Sequence, residues 1–147
     1  MTNKKKLKLG FDIGRINHII SRKMDAAIIN TISDNLTVSQ AYVIDFISMA
    51  GKDKDIFQKD LEKHFDLKRS SISLMLNNME KNDLIQRVPV AEDARLKKII
   101  LTEKAIELSK KIAYAIDSVE GILAENLNQD EINTFLNLLN KIRTNIE

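Results

Sequence analysis

The sequence predicts a mostly α-helical fold carrying one small β-hairpin. Three observations lead there. Only 4 glycines and 1 proline punctuate 147 residues, which points to helices joined by few sharp turns. Apolar residues recur at spacings of three and four in several long segments, the signature of helices with one buried face. Between Leu84 and Leu101 the pattern changes: two runs rich in β-branched residues flank a stretch holding Pro89, Glu92, Asp93 and Arg95, which reads as a hairpin.

The elements follow in order. A first helix over about Leu9 to Ile32 carries Ile13, Ile16, Ile20, Met24, Ala27 and Ile28 on one stripe. Thr37-Val38-Ser39-Gln40 reads as a capping box that opens a second helix. Val38, Ala41, Tyr42, Ile44, Ile47 and Met49 make that helix nearly all apolar, so it belongs at the centre, and Gly51 ends it as a left-handed residue. A third helix from Gln58 to Phe65 buries Leu61 and Phe65. Asp66-Leu67-Lys68 is a turn in which Asp66 takes positive φ, a conformation Asp tolerates better than most residues. A fourth helix from Arg69 to Lys81 has Ile72, Met75, Leu76 and Met79 as its core stripe, with Ser70, Ser73 and Asn77 on another face. Strands over about Leu84–Val88 and Leu96–Leu101 come next. Thr102 caps a long fifth helix whose Ala105, Leu108, Ile112, Ala115, Val119 and Ile122 form a heptad seam. Asn128 and Glu131 open the last helix by another capping box, and Ile132, Phe135, Leu139, Ile142 and Ile146 are its apolar stripe.

Composition bounds the function. At 44% hydrophobic and 30% charged residues, the chain is globular, one domain or one domain with an extension. The absence of cysteine removes disulfides, thiolate zinc sites and thiol redox sensing together, and makes the cytoplasm the natural compartment. No segment approaches the ~20 apolar residues of a membrane span. The start, MTNKKKLKLGF, is basic but lacks the apolar stretch of a signal peptide. Net charge is only +2, yet Lys68, Arg69, Arg87, Arg95, Lys97 and Lys98 all fall on the fourth helix or the hairpin. A locally basic face on a nearly neutral protein is compatible with DNA binding and with an ordinary solvated surface alike.

Two short helices joined by a tight turn and followed by a charged hairpin suit a duplex. A helix that approaches the major-groove floor needs small polar side chains on its outer face. Ser70, Ser71 and Ser73 can exchange hydrogen bonds with base edges and phosphates, and Asn77 can reach either. Lys68 and Arg69 at the helix start are placed for backbone contacts. The competing reading of Ser70 is a helix cap; Ser73 lies too deep to cap. Arg95, two residues after Asp93, sits where a hairpin tip enters the narrow minor groove, with Asp93 holding the guanidinium; alone, such a pair is more commonly a surface ion pair.

The segments LTVSQ (36–40), QKDL (58–61), RSSIS (69–73), MEKNDLIQR (79–87) and DARLKKIILTEKA (93–105) occur in an order and spacing that resemble the multiple-antibiotic-resistance regulator (MarR) family of winged helix-turn-helix proteins. The resemblance runs from Leu36 to Glu107, about half the chain. It implies a winged helix-turn-helix DNA-binding region over residues 36–101, with N- and C-terminal helical dimerisation arms over 1–32 and 102–147. It further implies a homodimer that grips a palindromic double-stranded operator as a regulator, most commonly a repressor, with Lys68, Arg69, Ser70, Ser71, Ser73, Asn77, Asp93, Arg95 and Lys97 at the DNA. Three departures stand out: Asp66, Asp83 and Ala105 occupy positions where the family commonly has Gly. Leu74 and Asn78 stand where similar proteins often have Arg, which reduces phosphate affinity or alters the operator sequence.

Other chemistry is sparse. His18 and His64 lack a second ligand at metal spacing, so no metal is expected. No phosphate loop, nucleophile elbow or carboxylate pair appears, so neither an enzyme nor a cofactor is expected. Lys4-Lys5-Lys6 reads as a solvated end. Related regulators often bind a small anionic or aromatic effector between arms and reading domain; Arg15, His18 and Tyr42 are the candidate lining residues. The alternative to a DNA reader is a winged-helix module that binds protein without specific DNA binding.

Overall fold

The computed structural model describes residues 8–32 and 35–147; Lys4-Lys5-Lys6 falls outside them. Among the described residues the order is α1 (Leu9–Thr31), α2 (Val38–Ala50), α3 (Gln58–Phe65), α4 (Arg69–Lys81), β1 (Ile85–Pro89), β2 (Lys97–Leu101), α5 (Glu103–Leu123) and α6 (Gln129–Ile146). The two strands form one antiparallel sheet, with Ile85 opposite Leu101 and Pro89 opposite Lys97.

Helix ends follow the local chemistry. At α2, the Gln40 N–H donates to Thr37 Oγ1 (3.1 Å) and the Thr37 N–H donates to Gln40 Oε1 (3.2 Å). Asn128 and Glu131 make the same reciprocal pair at α6, both bonds 2.9 Å. At α3 the exchange is one-sided, since Phe57 has no side-chain acceptor: its N–H donates to Asp60 Oδ2 at 2.8 Å. Asp66 (φ 50°) and Asp83 (φ 58°) do adopt the left-handed conformation, and Asn126 (φ 63°) is a third such residue that the sequence reading missed. Gly51 does not: its φ is −67°. A close approach explains glycine there, because a Cβ would lie 2.5 Å from the Ile47 carbonyl oxygen.

The strands begin one residue later than the composition suggests. Leu84 still belongs to the closure of α4, its N–H donating to Met79 O (2.9 Å), and Leu96 closes the hairpin turn by donating to Asp93 O (3.0 Å). The Ile99 N–H donates to Ile56 O at 2.7 Å, which fastens the hairpin to the segment entering α3. Thr102 then joins two elements. Its hydroxyl accepts from the Ala105 N–H (3.2 Å), capping α5, and donates to Asp83 O (2.7 Å) at the base of β1.

The core sits around α2, whose Ala41, Val43, Ile44 and Ile47 are buried. Met24 and Ile28 of α1, Ile72, Leu76 and Met79 of α4, and Ala105, Leu108, Ile112, Ala115 and Val119 of α5 close around it. Each fully buried aliphatic chain of this kind contributes about 1.5–3 kcal/mol. The seam of α5 therefore finds its partners, α1 and α2, within the same chain. Two expectations fail: Met49 and Ile122, read as members of apolar faces, are exposed, Met49 on the side of α2 that carries Tyr42 and Phe46 rather than the buried side of Ile44 and Ile47. No residue of α6 is buried, so its stripe of Phe135, Leu139 and Ile146 has no cover within the chain. The first half of α1 is likewise open, with Phe11, Ile13, Ile16 and Ile19 exposed.

Candidate nucleic-acid interface

The turn at Asp66 swings α4 so that Ile72, Leu76 and Met79 face the core while Ser70, Leu74, Asn77 and Lys81 form the opposite row. Lys68, Arg69, Ser70 and Ser71 at its start are all exposed. The N-cap position, Lys68, makes no side-chain cap, and among the described residues neither Ser70 nor Ser71 spends its hydroxyl on another part of the chain. Capping therefore does not account for these serines; their hydroxyls remain available to a ligand.

The hairpin presents its arginine as the residue types suggest. The Asp93 carboxylate accepts from the Arg95 N–H (3.0 Å) and from the guanidinium Nε (3.3 Å) and Nη2 (3.5 Å). The Arg95 side chain is nonetheless 92% exposed. Asp93 thus shapes the tip and holds the exposed cation. Between this hairpin and the α3–α4 pair lies a cleft of about 540 Å³ lined by Lys59, Arg69, Arg87, Arg95 and Lys97 on one side of the charge balance and Asp60 and Glu62 on the other. The structure thereby brings Arg69 of α4 and the distant hairpin residues Arg95 and Lys97 around one opening.

Other nominated residues are engaged inside the protein. Ser73 is half-buried, and its Oγ accepts from Gln58 Nε2 (2.8 Å), tying α3 to α4. Asn77 Oδ1 accepts from Arg87 Nη2 (2.5 Å), and Arg87 also forks onto Glu80, Nε to Oε2 and Nη2 to Oε1, both 3.2 Å. The hydrogen bonds from Arg87 hold the Glu80 carboxyl below its ordinary pKa. Lys98, part of the basic count, pairs with Asp55 at 3.5 Å. Asn78, in place of a cation, accepts from the buried Gln40 Nε2 (2.8 Å) and from Asn82 Nδ2 (3.0 Å), which binds the α2 cap to the end of α4. Leu74 is 73% exposed on the outer row. The bonds that Gln58, Glu80 and Gln40 make to Ser73, Arg87 and Asn78 carried no signal in the sequence, because each partner lies seven to thirty-eight residues away.

The three effector candidates do not meet in one chain. Tyr42 lines a shallow depression with Asp45, Phe46, Met49, His64 and Phe65, and neither Arg15 nor His18, both exposed on α1, lines it. Burial, then the charges of Glu120 and Asp45, raise the Tyr42 pKa. His64 stacks on Phe46 with ring centroids 4.1 Å apart, which fits a boundary histidine. Among the described residues no helix is long and apolar enough to cross a membrane.

Known proteins share this arrangement. A MarR-family model matches residues 34–96. The transcription regulator MarR from Oenococcus oeni PSU-1 is 28% identical, with 93% of this chain and 99% of that chain covered and a TM-score of 0.81. MepR of S. aureus, in its DNA complex, is 22% identical over 98% of this chain and 100% of its own, with a TM-score of 0.87. The heme sensor protein PefR from Streptococcus agalactiae, in complex with heme, is 21% identical over 95% of each chain, with a TM-score of 0.64. A helix-turn-helix whose hairpin wing is pinned through Ile56 and Thr102 coincides with the family match: residues 34–96 match the MarR family, and the chain shares the winged helix-turn-helix fold of MarR-family transcription regulators.

Proposed function

We propose that this chain is a homodimeric, sequence-specific DNA-binding regulator of the cytoplasm, acting as a signal-responsive repressor on a palindromic operator. The observation that carries the reading is the shared cleft: Arg69, Arg95 and Lys97 surround one opening beside the exposed Ser70 and Ser71. In this reading α4 enters the major groove, Lys68 and Arg69 hold phosphates, and Arg95 enters the minor groove. The uncovered faces of α6 and the first half of α1 support dimerisation, since apolar patches of that extent usually mark interfaces. Two reading helices about one duplex turn (~34 Å) apart would then match two half-sites, and a signal that changes their separation weakens binding.

Selection of genomic fragments by the purified protein tests this. A palindrome with half-sites about one turn apart is expected, with affinity falling steeply with salt, near −0.9 in log–log slope per phosphate neutralised. A monomer in solution, or indifference to every duplex at low ionic strength, sinks the reading. Leu74 favours the alternative, a module that binds protein through an apolar residue on this face; a partner bound with little salt dependence is its mark.

A further inference from the structure

Arg87 lies on β1, its side chain largely covered, directly beside the outer row of α4. A guanidinium only donates. Its fork is taken by Glu80, and the remaining hydrogen-bonding capacity of Nη2 goes to Asn77. The Asn77 carboxamide must therefore turn its oxygen toward the strand and its NH₂ away from it. Among the described residues that NH₂ has no acceptor, and Asn77 is exposed one turn beyond Leu74 on the outward row.

An unrestrained Asn pairs with adenine through both ends of its amide, oxygen to N6–H₂ and nitrogen to N7. Here the oxygen is already engaged. We propose that Arg87 and Glu80 lock Asn77 as a donor, so that Asn77 reads guanine in the major groove, whose O6 and N7 both accept, above adenine and thymine, which each offer one acceptor, and above cytosine, which offers none. Arg87 and Glu80 are positioning residues and Asn77 makes the contact. The inference rests on the DNA-binding reading above and adds to it the base class read at one position of each half-site.

The test uses the full-length protein and the selected operator, with each position of the half-site varied through all four bases and affinities measured by fluorescence anisotropy. Wild type should prefer guanine over adenine or thymine at one position by about fivefold, the worth of one net hydrogen bond of ~1 kcal/mol. Asn77→Ala should flatten that position. Arg87→Met keeps the aliphatic stem but frees the amide to rotate, so adenine should become accepted there while preferences elsewhere stay. Arg87→Lys keeps one donor and should retain part of the guanine preference, which guards against loss of folding in the methionine variant; thermal melts accompany all three. Overall affinity is not the readout, because a lost cation lowers it for every sequence alike. A uniform loss across all sequences in Asn77→Ala, or an unchanged base profile in both Arg87→Met and Arg87→Lys, overturns the inference while leaving the DNA-binding reading standing. Failure of the wild type to bind any selected duplex removes both.

Discussion

Replacing Arg95 by Ala separates the wing's role at DNA from its role in the fold. In the free protein the guanidinium touches Asp93 and is otherwise in solvent. An exposed ion pair of this kind is worth about 0–1 kcal/mol, so the melting temperature should move by no more than about 2–4 °C. At a duplex the same group would make charge-assisted bonds worth about 1.5–3 kcal/mol. A dimer carries two wings far enough apart for their effects to add, so the loss should reach about 3 kcal/mol or more, roughly 100-fold in Kd. The log–log salt slope should shrink by up to about 1.8, one phosphate equivalent per wing. Anisotropy titrations on the selected operator between low and moderate salt measure both quantities, and a thermal melt by circular dichroism measures the third. Unchanged affinity refutes the wing assignment. A fall in melting temperature large enough to account for the lost binding refutes the claim that Arg95 is spared by the fold.

Thr102→Ala removes the α5 cap and the bond to Asp83 O at once, which should cost about 2 kcal/mol and lower the melting temperature by about 4–8 °C; Thr102→Ser should restore most of it in the same melt. Lysine at Phe135 and Leu139 should leave helicity intact, because neither side chain is buried in the monomer, yet yield a monomer by light scattering with lost operator binding; a persistent dimer would clear α6 of the interface. Burial, then the charge of Asp117, raises the Asp45 pKa above 3.8, so the folded chain keeps that proton to higher pH than the unfolded chain does. Stability therefore falls as pH rises through that interval. Asp45→Asn should raise the melting temperature at pH 7 and leave it unchanged well below pH 3.8, and a gain that persists in acid would contradict the assignment.

Much of the fold was legible because it depends on neighbours a few residues apart. Thr37–Gln40 and Asn128–Glu131 are capping pairs at a fixed offset, and the outcome matched within a residue. The stripe of α4 sorted into core and surface as its period requires. Asp66 and Asp83 took positive φ where small polar residues tolerate it. The failures turn on what the rest of the fold brings near a residue. Gly51 was read through its commonest use, a left-handed cap, whereas a backbone approach to Ile47 demands it. Met49 and Ile122 are apolar residues on correctly identified helices that the fold leaves exposed, and a run of apolar residues does not say which of them the core covers.

The reading surface was less legible, because whether a polar side chain is free depends on what arrives from elsewhere. Ser70 and Ser73 look alike in sequence. One faces solvent, while the other accepts from Gln58, fifteen residues upstream. Asn78, which looked like a lost cation, ties the α2 cap to α4 through Gln40. An arginine at that position could not accept from the Gln40 amide, so a gain in phosphate affinity would come with an unpaired buried donor, a cost of about 1–3 kcal/mol. The chain therefore trades charge for cohesion on α4. In the proposed DNA-binding reading, that leaves the cations of Lys68, Arg69, Arg95 and Lys97, at the helix start and on the wing, to supply most of the attraction to phosphates, and it concentrates discrimination between sequences on the outer row of Ser70, Leu74 and Asn77.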